Sequence, residues 1–87
     1  MTDVRYSYRP EVLKALLDHG IRPRATTPPA LVHEFVNDLY RFELRRLRSR
    51  QLKGDILRDE YTQYVVELRR QYLLVSVPLK HWTTTQN

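Results

Sequence analysis

Apolar residues recur at helical spacing in three segments of the chain, and each segment carries its own stop signal. In the first, Val12, Leu13, Leu16 and Leu17 share one face between Pro10 and Gly20. A proline in a first turn loses only an N–H that would be unpaired, and a glycine after the last turn takes the left-handed conformation, so a short helix is expected at about 10–19. The second segment follows Thr27, Pro28 and Pro29 and meets neither proline nor glycine until Gly54. Thr27 is the expected N-cap, because a residue before proline is driven to extended dihedrals, and the helix should run over about 28–52. Placed at 100° steps, Leu31, Val32, Phe35, Val36, Leu39, Tyr40, Phe42 and Leu47 form a broad apolar face, opposite Glu34, Asn37, Asp38, Arg41, Arg45 and Arg48. The third segment repeats Leu57, Tyr61, Tyr64, Leu68, Gln71 or Tyr72, and Val75 at alternating spacings of four and three, the seam of a helix at about 57–75. Pro78 ends it at or before Val77, and the β-branched run Val75, Ser76, Val77 favours earlier fraying.

Lys53 and Gly54 have the chemistry of a helix C-terminus, a cation beside unpaired carbonyls and a residue tolerant of positive φ. Beyond them, a start near Leu57 sets Ile56 at N′ against Tyr61 at N4, with Glu60 at N3, a hydrophobic staple with half of a capping box. These signals define an all-α fold, a short N-terminal helix packed on a long antiparallel hairpin, with the leucines of the short helix covering the hairpin's open end. Residues 21–26 form the proline-punctuated return. Residues 1–9 and 79–87 are arms, either flexible or strapped across the hairpin. Within the second arm, Trp82 has two readings, an indole folded back on the core or an anchor for a partner.

At 87 residues the chain is a single domain, and a monomer of this size buries only about 60–65% of its unfolded surface. No cysteine is present, which removes disulfides, thiol nucleophiles and thiolate metal sites. No apolar run reaches the ~18 residues of a membrane span, and the first residues lack the apolar core of a signal peptide, so a cytoplasmic setting is expected. The net charge is +5, and its position matters more than its size. Residues 41–53 hold six bases (Arg41, Arg45, Arg46, Arg48, Arg50, Lys53) and one acid (Glu43), while the remaining nine bases and nine acids cancel. Glu43, Arg46 and Arg50 also fall on the arc that Val32, Val36 and Leu39 turn to the core, so they must be either buried as pairs or reached by water.

Candidate chemistry is sparse. His33, Glu34 and Asn37 resemble a helical zinc pattern that lacks its second histidine, and His19 and His81 have no helical spacing to His33, so no metal or cofactor is expected. Both glycines are explained as helix stops and no serine has a base at meaningful spacing, which argues against an enzyme. Tyr40, Tyr61, Tyr64 and Tyr72 lie on inward or boundary arcs. What remains is surface. The favoured reading is a small non-enzymatic protein-interaction module, self-associating as a dimer through hairpin faces that contain Phe35, Phe42 or Leu44. The alternative is weak, sequence-independent nucleic-acid binding through the basic half-helix 41–53, weakened by Asp55, Asp59 and Glu60 just across the turn.

Overall fold

The computed structural model of the chain describes residues 4–84 and is all-α. Its order is α1 (Pro10–Asp18), α2 (Pro29–Leu52), α3 (Arg58–Gln71), then 3-10 turns at Leu73–Ser76 and Leu79–His81. α2 and α3 are antiparallel. Arg50 lies over the Tyr64 ring at 5.8 Å, the Tyr40 and Tyr72 rings are 5.4 Å apart, and His33 reaches the Val75 carbonyl, so partners along α3 and the turn after it rise in number as those on α2 fall.

Both glycines stop helices through the same bonding. The Gly54 and Asp55 amides donate to the Gln51 and Arg50 carbonyls, and the Gly20 and Ile21 amides to Leu17 and Leu16, a Schellman arrangement that requires positive φ at the glycine. The observed φ values are 84° at Gly54 and 75° at Gly20. Helix starts agree less well with expectation. Pro28, not Thr27, holds the N-cap position of α2, because the Thr27 hydroxyl turns back to accept the Arg24 amide at 3.0 Å and closes the preceding turn. At α3, by contrast, the expected start is found, with Leu57 at the N-cap and Ile56 buried. Leucine has no acceptor, so the capping is one-sided: the Leu57 amide donates to Glu60 Oε1 at 3.2 Å.

α3 is shorter than its apolar seam. It leaves the α conformation at Tyr72 (φ −116°, ψ 37°), and the chain tightens into a 3-10 turn that carries Leu74 inward. No glycine is available to satisfy the carbonyls freed there, and two histidines do so instead. His19 donates through Nε2 to the Gln71 carbonyl at 2.8 Å, its ring stacked 4.2 Å from Tyr72, and His33 donates through Nε2 to the Val75 carbonyl at 3.0 Å.

The core lies at the open end of the hairpin. Val12 and Leu16 of α1, Val32 and Val36 of α2, Leu68 of α3, and Tyr72, Leu74 and Trp82 form one buried cluster. Trp82 is fully buried, donates through Nε1 to the Val77 carbonyl at 3.0 Å, and meets His33 edge-on. The arms are strapped as far as the described residues extend: Tyr8 bridges Thr83, the Arg9 amide donates to the Trp82 carbonyl at 2.9 Å, and the Thr84 amide to the Ser7 carbonyl at 2.9 Å. The expectation for residues 1–3 and 85–87 lies outside the described residues. Toward the closed end only Ile56 is buried, and the molecule measures 55 × 21 × 18 Å. Its radius of gyration of 16.0 Å exceeds the ~12 Å of a compact chain of this length.

Candidate interaction surfaces

The broad apolar face of α2 is divided by its neighbours. Val32 and Val36 are buried, and Leu39, Tyr40, Leu44 and Leu47 pack against the core, whereas Leu31, Phe35 and Phe42 are 59%, 54% and 52% exposed. These three fall within about 40° of one another at 100° per residue and form a continuous outward stripe. Two of the expected apolar contact residues therefore belong elsewhere: Leu44 is packed on the hairpin and Trp82 is inside the core, so neither offers a surface as Phe35 and Phe42 do. Along the flank of the stripe run Glu34 and Asp38, then Arg41 and Arg45, all exposed, with Arg41 4.0 Å from Asp38. Leu31, Val32 and Phe35 also form one wall of an apolar concavity of about 450 Å³, whose opposite wall is Ile21 to Arg24. The groove has no mark in the sequence, since a proline-rich return gives no sign of the helix it will lie beside.

The basic segment is likewise split. Arg46 pairs with Glu43 at 3.8 Å and lies 5.9 Å from the Phe42 ring, and Arg50 covers Tyr64. The Glu43 and Arg46 side chains are 39% and 66% exposed, so this polar patch is wet and its pair is a surface pair. The closed half of the hairpin has almost no buried core, and charges on the inward arc there need not leave water. Glu60 and Glu67 line the same flank with Tyr64. On the other flank, Arg48, Gln51 and Leu52 of α2 meet Arg58, Tyr61 and Thr62 of α3 around a second concavity of about 450 Å³. Arg45, Arg48 and Lys53 make no ion pair among the described residues, and neither do Arg58 and Arg69 of α3. Arg58, Thr62 and Arg69 share one side of α3 by helical spacing while Glu60 and Glu67 share the other, a signal present in the sequence that the reading of residues 41–53 alone passes over.

His19 and His33 hold carbonyls at the end of α3, and among the described residues no group of three His, Asp or Glu side chains is placed to hold a metal. Two tyrosines have raised pKa values: Tyr72 through burial and then through the Glu43 carboxylate, Tyr8 through burial and then through Tyr6. The Tyr8 hydroxyl donates to the Thr27 carbonyl. Among the described residues no helix is long and apolar enough to cross a membrane. Comparison with protein families, with curated proteins and with solved structures returned no match for this chain.

Proposed function

We propose that the chain is a non-enzymatic, cytoplasmic interaction module that associates with a second copy of itself through α2. The observation that carries this reading is the exposed stripe of Leu31, Phe35 and Phe42 beside a flank that changes sign at its middle. Glu34 and Asp38 precede Arg41 and Arg45, so two α2 helices laid antiparallel about a two-fold axis near residues 39–40 set Glu34 against Arg45 and Asp38 against Arg41 of the other copy. A parallel pairing puts the two charged flanks on opposite sides of the seam, where they do not meet and no such pairs form. In the antiparallel register Phe42 of one copy falls opposite residue 37 of the other, about 3 Å along the axis from Phe35, so the two aromatic side chains meet on the seam. The accessible surface of 7031 Å² points the same way, since a compact monomer of 10.5 kDa exposes about 5,400 Å².

Light scattering across micromolar concentrations tests the proposal. A dimer is expected, converted to monomer by Phe42→Asp and retained in Leu73→Asp, which alters an exposed leucine away from the stripe. Exchanging signs at Glu34 and Asp38 alone, or at Arg41 and Arg45 alone, should weaken the dimer, and exchanging all four should restore it. A concentration-independent monomer overturns the self-association, and a fourfold exchange that fails to restore binding overturns the antiparallel register.

A further inference from the structure

We propose that the concavity between the end of α2 and the start of α3 is an anion site that takes a phosphate group. Arg48 and Arg58 supply guanidinium donors from facing helices, and Gln51, Tyr61 and Thr62 add a carboxamide and two hydroxyls around the same space. Planar guanidinium forks match phosphate oxygens bidentately, and neutral donors beside them complete the shell without adding repulsion. A cluster of arginines on a helix surface ordinarily means only a solvated face. Two features separate this cleft from that case.

The first is the sorting of charge across the hairpin. On the opposite flank Glu43 holds Arg46 at 3.8 Å, and further along α3 Glu67 holds Arg70 at 3.8 Å. Glu60 is turned to the Leu57 amide and lines the concavity on that opposite flank with Gln63, Tyr64 and Glu67. Glu60 and Glu67 of α3 are thus directed away from Arg48 and Arg58, and neither arginine makes an ion pair among the described residues, Asp55 and Asp59 nearby in the chain included. The second feature is shape: Arg48 and Arg58 help to line a space of about 450 Å³, enough for a phosphate and part of what it is attached to. The exposed Leu52 on its rim gives an apolar contact for that attached part. The site is separate from the Phe35 and Phe42 stripe and does not depend on self-association.

The phosphate can belong to a nucleic-acid strand or to a small polyphosphate, and calorimetric titration at low ionic strength with a short oligothymidylate and with pyrophosphate separates the two. Arg48→Gln and Arg58→Gln are each expected to lower affinity about tenfold, the loss of one charge-assisted bidentate contact. Arg70→Gln, on the opposite flank, should change it less than about twofold, as expected for an exposed charge that makes no contact with the ligand. Both arginines are exposed, so circular dichroism should show the variants folded. Binding of both probes, or of either alone, with this pattern of variants supports the site, and the probe that binds identifies the source. For a strand, the slope of log affinity against log salt should fall by roughly 0.7 per arginine removed. No binding of either probe overturns the proposal, as does an equal loss in Arg70→Gln, which would mark a diffuse effect of net charge.

Discussion

Trp82 is the side chain on which the core most depends, and its replacement by alanine is expected to bring the protein close to unfolding at 25 °C. The indole is fully buried among residues of α1, α2 and the end of α3, so truncation leaves a cavity that these elements, held by the helix backbone, close only in part. Large aromatic-to-alanine changes at such sites cost about 3–5 kcal/mol. The lost Nε1 donation leaves the Val77 carbonyl without that partner, adding about 1 kcal/mol. Against this, a chain of 87 residues has a total stability of roughly 4–13 kcal/mol. Trp82→Phe keeps most of the ring and loses the donor, so its cost should be about 1–2 kcal/mol. Because this is the only tryptophan, unfolding in urea should be followed by far-ultraviolet circular dichroism, at one fixed protein concentration so that any association cancels. A loss below about 1.5 kcal/mol for the alanine variant would refute the reasoning, since no well-packed indole is removed so cheaply.

Other perturbations have smaller expected effects. Glu43→Ala removes a partly exposed i, i+3 pair and should destabilise by under about 1 kcal/mol in the same urea assay; a loss near 3 kcal/mol would mean that the pair is buried. Stability should hold from neutral pH up to the ordinary tyrosine range and fall above it, because Tyr8 and Tyr72 ionise less readily folded than unfolded, so the unfolded chain releases its protons first as pH rises past 10.0. Thermal melts from pH 7 to pH 11 check this, and Tyr72→Phe should flatten part of the alkaline decline.

The hairpin was legible because its signals are local. Gly54 and Gly20 end helices through bonds to carbonyls only a few residues back, and the staple positions of Ile56 and Tyr61 lie within one turn of Leu57. The end of α3 was not legible, since Pro78 sets only an outer limit. What turns the chain at Tyr72 is the burial of Leu74 and Trp82 and the donors brought by His19 and His33 from elsewhere in the chain. The same limit applies to the surfaces. Helical spacing gives the direction in which Leu31, Phe35 and Phe42 point, but their exposure depends on how many neighbours α2 has, and here α3 and the strapped ends cover only one side. Charge counting found residues 41–53 and not their division between flanks, because that division depends on Arg58 and Thr62 arriving from across the turn.

The bond from Arg9 to the Thr83 carbonyl joins residues 74 apart, and this sets an order of events during synthesis. Helices form within about a microsecond of leaving the ribosome, whereas translation adds roughly 5–20 residues per second. Val36 and Trp82 are therefore made some 2–9 seconds apart. Throughout that interval Val12, Leu16, Val32 and Val36 await the indole that covers them, so the nascent chain presents an unsealed apolar cleft for far longer than any helix takes to form. A nascent chain whose emerged part ends just before residue 82 would hold a hairpin without its seal, and chaperone capture or proteolysis should be greatest at that length and drop sharply once the strap has emerged.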